Sequence, residues 1–276
     1  MLQADRVGYT DVFDAEAADA RLRGYRRRIL ELSQRVSAMH IASAFSCLEI
    51  VEIVYHEFIR PSGNRTNLRD LFVMSKGHGC MAQYVVLEQL GIIRSEDLEA
   101  YCVCNGILGA HPHYGNPGIE AATGSLGHGL SMAVGMGLAK RADGGTIYTL
   151  LSDGELQEGS TWEAILIAPS LALNNIVAFV DNNDFQSAGQ TSITHPTLYP
   201  IGEKFRSFGW EIVEIDGHDT NSIRSAVLCW SRKRPLAVVA KTTKGKGVSF
   251  MENEPAWHYR SPNKEEYAKA LTELES

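Results

Sequence analysis

Two apolar runs, 146–151 and 175–180, flank a segment with helical spacing, and each breaks into small polar residues. Ser152, Asp153, Gly154 and Glu155 follow the first run; Asp181, Asn182, Asn183, Asp184 and Phe185 follow the second. Short β-rich runs joined through a helix predict a βαβ unit, with parallel strands and both breaks at strand carboxyl ends. Open α/β sheets bind ligands along that edge. Asp153 and Asn183 then lie side by side, two oxygen donors suited to a hard cation such as Mg2+, and Gly154 leaves room for a phosphate against the backbone. Either break alone reads more simply as a strand-to-loop turn; the pair carries the reading.

The same patterning places the other elements. Leu22, Tyr25, Ile29, Leu32 and Val36 predict a helix over 15–36 behind a loose arm of residues 1–14, with the arginines between them on a solvated face. The small residues of 39–44 interrupt that pattern before a second helix over 48–59, and 61–65 reads as a loop. A buried strand over 70–75 ends in Lys76, Gly77, His78 and Gly79, with a cation and an imidazole at its mouth, and a helix over 81–90 follows. Glycine-rich loops at 109–115 and 124–129 lead into a helix over 130–141, whose small residues permit close packing with another chain. Beyond the central unit the pattern predicts a loop over 186–200, a helix near 202–208 and a strand over 211–215. A helix capped by Asp219 or Asn221, a buried strand over 236–240 and a polar C-terminal helix complete the chain. The expected architecture is α/β: one domain, 15–276, with a mostly parallel sheet flanked by helices.

Composition narrows the class. The chain has 276 residues, 44% of them hydrophobic, yet no apolar run long enough to span a membrane. Its acidic N-terminus lacks an apolar leader, so a cytoplasmic protein is expected. A net charge of −7 speaks against nucleic acid as a partner. Five cysteines show no CxxC spacing; Cys102 and Cys104 read as buried free thiols before a metal pair. The glycines around Gly127 fail GxGxxG, and those around Lys246 fail the P-loop pattern.

Several histidines fall in loops outside the periodic segments. Met39-His40-Ile41, Ser75 to Gly79 around His78, Ala110-His111-Pro112 and Trp257-His258 resemble the histidine segments in the N-terminal half of transketolase. Gly124 to Ser131, Asp153 to Gly159 and Lys244 to Phe250 extend that resemblance, in the family's order, over nearly the whole chain from about residue 20. Asp153-Gly154, followed after 27 residues by Asn182-Asn183, resembles the thiamine-diphosphate fingerprint, with Ser152 where its first glycine stands.

The resemblance implies a diphosphate-binding (PP-type) domain that uses thiamine diphosphate with Mg2+, or another divalent cation such as Ca2+ or Mn2+. Asp153, Asn183 and the Phe185 carbonyl would hold the metal. His78, Gly124, Leu126, Gly154, Glu155 and His258 would contact the cofactor. His40, His111 and His258 would be catalytic, facing a sugar phosphate or related ketose or aldehyde, and Glu158 would couple active sites across a subunit interface. The implied reaction transfers a two-carbon ketol unit from a ketose to an aldehyde. The chain ends where transketolase continues. The expectation is therefore an N-terminal subunit that is active only with a C-terminal pyrimidine-domain subunit, in a heterotetramer with two copies of each. The alternatives are a decarboxylating thiamine enzyme and a non-catalytic regulatory subunit. Two departures bear on the acceptor: Met39, Ala42, Ser43 and Ala44 flank His40 where the family has glycines, and Tyr259 follows His258 where glycine is common.

Overall fold

The computed structural model describes residues 13–36, 39–59 and 70–275. The strands are β1 (Leu71–Met74), β2 (Ile147–Ser152), β3 (Ile176–Asn182), β4 (Phe185–Gln186), β5 (Gly189–Gln190), β6 (Glu211–Asp216) and β7 (Leu236–Lys241). Five of them form one parallel sheet in the order β1-β2-β3-β7-β6, while β4 and β5 make a short antiparallel hairpin. The helices are α1 (Ala15–Ser33), α2 (Ile41–Ile53), α3 (Cys80–Gln89), α4 (Ser95–Glu99), α5 (Gly129–Lys140), α6 (Gly159–Ser170), α7 (Thr191–Thr194), α8 (Ile201–Ser207), α9 (Thr220–Leu228) and α10 (Lys264–Glu275).

The central strands are apolar along their whole length because both faces are covered. Tyr148, Leu150, Val177, Phe179 and Val238 point into a core shared with α1, α2, α3, α9 and α10. Their neighbours Leu151, Ala178, Val180, Ala237 and Val239 point the other way, against α5, α6 and α8. β2 and β3 are parallel and adjacent, with Ser152 level with Asp181, so the two polar breaks do meet at one edge of the sheet.

Four expectations need correction. The break between the first two helices does not extend through 44: Met39 and His40 lie in it, but α2 begins at Ile41, and every one of its residues is buried, so it has no polar face to give a period. It runs on into a π-helical turn, Val54–Phe58. Arg26 does not lie on a solvated face but turns inward to Glu49 and the Lys246 carbonyl. The stretch 186–200 is folded, holding the hairpin, α7 and a 3-10 turn. All five cysteines are free, but Cys102 and Cys104 are exposed rather than buried. Asp219 does cap α9 through the Asn221 N–H (3.0 Å). The expected arm lies outside the described residues as far as residue 12, as does the loop 61–65. Phe13 packs on the core and Asp14 caps α1. Among the described residues no helix is long and apolar enough to cross a membrane.

One polar knot fastens the edge where the breaks meet. Lys76, expected at the mouth of a loop, is fully buried and paired with Asp181 at the end of β3. The ammonium also donates to the Ser43 carbonyl (3.0 Å) and Ser46 Oγ (3.4 Å) of α2. Asp181 accepts from Ser46 Oγ (2.6 Å), Asn183 Nδ2 (2.9 Å) and Thr242 Oγ1. Removing one partner of a buried, hydrogen-bonded ion pair leaves the other charge stranded, which costs about 3–5 kcal/mol. Asp181→Ala should destabilise the chain by that amount in urea unfolding, whereas Asp181→Leu combined with Lys76→Met should recover most of the loss.

Candidate active site

Four imidazoles converge above the carboxyl edge of the sheet, each delivered by a different local device. His40 occupies the N-cap position of α2 but its side chain makes no cap hydrogen bond, so the ring is left for the cavity. His78 stands in the 3-10 turn Gly77–Gly79 between β1 and α3. His111 rides on a loop tied down by the Tyr84 hydroxyl, which donates to the carbonyls of Gly109 (3.2 Å) and His111 (3.1 Å). His258 belongs to the 3-10 turn Pro255–Tyr259, anchored by the buried Trp257. The His40 ring centroid lies 5.4 Å from His78, 6.1 Å from His111 and 5.2 Å from His258.

Glycines let these loops close on one another. Gly124 has φ +152°, and a Cβ there would come within 3.1 Å of the His111 ring. A Cβ on Gly77 would lie 2.8 Å from the Gly124 nitrogen, so any side chain there would drive the His78 turn away from the 124 loop. Glu155 fastens the same two loops from beneath. Its Oε1 accepts from Ser75 Oγ (2.5 Å) and the Gly127 N–H (2.9 Å), while Oε2 is buried with no partner among the described residues. Glu155 thus supports loops at this point, and Leu126 sits between them on the 124–129 turn.

All four histidines are held neutral. Burial, then the neighbouring His258, pushes His40 down to about 3. Burial and Lys244 bring His258 to about 4. His78 falls well below the usual imidazole range through burial and Lys76, and His111 is lowered by burial and His113. Lys244, itself buried, lies 2.9 Å from His258 Nδ1 and donates to the Ser187 carbonyl (3.2 Å). With an ammonium donating to Nδ1, His258 carries its proton on Nε2. Burial and then Lys76 depress Lys244 to about 8.

A second group of opposite character lies beside them. The Asp153 carboxylate accepts from the Gly154 N–H (2.8 Å), Thr191 Oγ1 (3.0 Å) and the Asp184 backbone. Asn183 donates its amide to Asp181 (2.9 Å) and Ser46 (3.3 Å), which leaves Oδ1 to accept from the Phe185 N–H (3.0 Å). Gly154 is crowded on its α-carbon by Gln186, where a Cβ would lie 3.0 Å from the side chain. Burial and the nearby Asp181 raise the Asp153 carboxyl to about 7. Of the two buried carboxylates, Asp181 holds the direct lysine contact, and Asp153 has no ion pair of its own. A carboxylate, an amide oxygen and a backbone carbonyl such as that of Phe185 would make an all-oxygen donor set of the kind Mg2+ takes. Among the described residues no trio of His, Cys, Asp or Glu forms a metal group by itself.

The two sides fit a single ligand. Lys244 and the imidazole cluster present donors suited to an anion, while Asp153 and Asn183 present oxygens suited to a cation; a metal-bound diphosphate would answer both. The lysines are the functional residues that sequence reasoning left without a role. Each directly follows or closely trails a buried strand and precedes a glycine, and that was the available signal.

Comparison with known proteins agrees with this geometry. Residues 25–274 match the family model described as transketolase, thiamine diphosphate binding domain. The chain is 37% identical over 255 residues, covering 90% of each sequence, to one subunit of an apulose-4-phosphate transketolase from Phocaeicola vulgatus. It is also 37% identical over 257 residues to a 6-deoxy-6-sulfo-D-fructose transketolase subunit from a Clostridium species, covering 91% of this chain and 93% of that one. The transketolase structure from Campylobacter jejuni superposes with a TM-score of 0.87 at 27% identity, over 95% of this chain but only 43% of the larger one.

If Asp153 ligates a divalent cation, its raised carboxyl should make that binding depend on pH. Below about 7 the carboxyl is protonated and must lose its proton to ligate, so affinity for Mg2+ should fall by up to about tenfold per pH unit there and level off above. Calorimetry from pH 5.5 to 8 should show that slope, with about one proton released per ion near pH 6. Asp153→Ala should abolish both the binding and the proton release.

Proposed function

Because the chain belongs to the transketolase thiamine-diphosphate-binding family, we propose that it is the diphosphate-binding subunit of a two-chain transketolase. In this reading it moves a two-carbon ketol unit from a ketose to an aldehyde, using thiamine diphosphate and Mg2+. The observation that carries it is the convergence of His40, His78, His111 and His258 beside the Asp153–Asn183 pair.

Asp153, Asn183 and the Phe185 carbonyl would hold the metal, and His78, Lys244 and His258 would meet the diphosphate. When bound, thiamine diphosphate supplies the electron sink for breaking the carbon–carbon bond beside a ketose carbonyl. The remaining work falls to neutral imidazoles. His40 and His111 accept or donate protons at substrate hydroxyls, and the His258 Nε2–H donates to a substrate oxygen. Burial keeps these rings unprotonated at neutral pH, so each has a ring nitrogen that can accept a hydrogen bond from a substrate hydroxyl. A set of imidazoles around a polyhydroxylated substrate favours ketol transfer over decarboxylation, which asks for fewer groups to hold hydroxyls.

A second subunit is supported by the relatives, which are named as subunits and match this chain nearly end to end. The α5–α6 side of the molecule has the character of an interface. Leu138, Leu166 and Leu171 are 48, 52 and 38% exposed there, beside the open backbone of Gly135. Glu158 is also exposed, next to the 124–129 loop, as a residue that couples subunits would be. Glu155, by contrast, acts on the cofactor through the loops it holds.

The chain alone should turn over no ketose and aldehyde pair with thiamine diphosphate and Mg2+, and should gain activity when mixed with a chain carrying a pyrimidine-binding domain. Full turnover by the single chain would overturn the two-chain reading. In the mixed enzyme, His111→Ala should lower kcat/KM by about a hundredfold or more while cofactor affinity holds. His78→Ala should weaken the cofactor instead. Equal loss of cofactor in both would refute this division of roles.

A further inference from the structure

Tyr259 plays no part in the chemistry above, yet its ring is held against the catalytic group. Its centroid lies 4.5 Å from that of His40, tilted by 43°. At that separation the two rings are in contact and no substrate atom fits between them. The rest of the tyrosine faces outward, 54% exposed. The His40, His78 and His258 rings are all less open, so Tyr259 forms the outer rim of the imidazole cavity.

The rim is rigid. Trp257, two residues back, is buried and packs on Phe250 at 5.4 Å, with the Arg260 guanidinium 3.9 Å over its ring. Arg260 is in turn bonded to Glu266 of α10 (2.5 Å), and Ser261 Oγ donates to the Val36 carbonyl (2.5 Å). The turn is therefore tied to two other elements on the C-terminal side of Tyr259, and its N-terminal end is capped by Glu254 on the Ala256 N–H (3.2 Å).

We propose that Tyr259 is a specificity-determining residue which limits the length of the aldehyde acceptor, favouring short polyhydroxylated chains over long linear ones. The imidazoles engage the reacting end of the substrate, so the ring beyond them meets the distal carbons. A short chain ends before the ring or lays its C–H face upon it, whereas a longer linear chain runs into it. The inference rests on the ketol-transfer reading of the same site.

The test uses the reconstituted two-chain enzyme with thiamine diphosphate, Mg2+ and one ketose donor, and three-, four- and five-carbon aldose phosphates as acceptors. Tyr259→Gly and Tyr259→Ala should raise the ratio of kcat/KM for the five-carbon over the three-carbon acceptor by about tenfold or more, the scale on which pocket shape discriminates. Tyr259→Phe, which keeps the ring, should keep the wild-type ratio, and thiamine-diphosphate affinity by calorimetry should be the same in all. Unchanged ratios in both Gly and Ala variants, with every acceptor slowed alike, would overturn the inference and leave Tyr259 as a mere prop for His40. A wild-type enzyme that uses none of these acceptors would instead overturn the ketol-transfer reading, and this inference with it.

Discussion

A lysine ammonium closed away from water against a single aspartate is the constraint on which this molecule turns. Taking both charges out of water costs several kcal/mol each, and the attraction between them offsets this only if their remaining hydrogen-bonding capacity is filled. Filling it recruits Ser43 and Ser46 from α2, Asn183 from beyond β3 and Thr242 from beyond β7. Those segments deliver His40, the Asn183 amide and the Lys244 loop. The electrostatics of one buried pair thus fixes the relative positions of groups up to 200 residues apart in the chain.

The same pair explains why the cavity is divided by charge. Burial and the neighbouring Asp181, whose direct partner is Lys76, raise the Asp153 carboxyl to about 7. On the other flank Lys76 and Lys244 repel one another, and each disfavours a charged imidazole nearby. Neither flank is comfortable by itself. Under the proposed function, a ligand that brings positive charge to one flank and negative charge to the other would relieve both. Such a site is selective by charge arrangement before any shape is considered.

Much of the sheet was legible because parallel strands, covered on both faces, must be apolar throughout; the runs 146–151, 175–180 and 236–240 fall on β2, β3 and β7 within a residue or two. Of the candidate histidines, His78 stands where glycine and histidine fall together after a strand, whereas His111 lies on a loop with no strand before it and was singled out by the family resemblance alone. Burial hid the rest. α2 has no exposed face and so no period, and its small residues look like a junction. Lys76 reads as a surface charge because nothing local announces that Asp181, more than 100 residues away, will bury it. Arg26 fails for the same reason, with Glu49 and the Lys246 carbonyl as its distant partners. The stretch 186–200 lacks apolar periodicity because only Leu198 and Tyr199 pack on a core, and much of its order comes from side-chain bonds among Asp184, Thr191, Ser192 and Tyr199.

The complete burial of α2 has a further consequence. A helix with one solvated side can rotate or shift by small amounts and keep its apolar stripe covered, but a helix enclosed all round has no idle sector to turn into the gap. One residue added or removed within Ile41–Ile53 would swing everything on one side of the change by about 100°, and each displaced side chain would meet a neighbour. The bearing of His40 is therefore keyed to the sheet like a tooth in a lock. Divergence around this site should proceed by substitution at the rim, while the length of the buried helix stays constant.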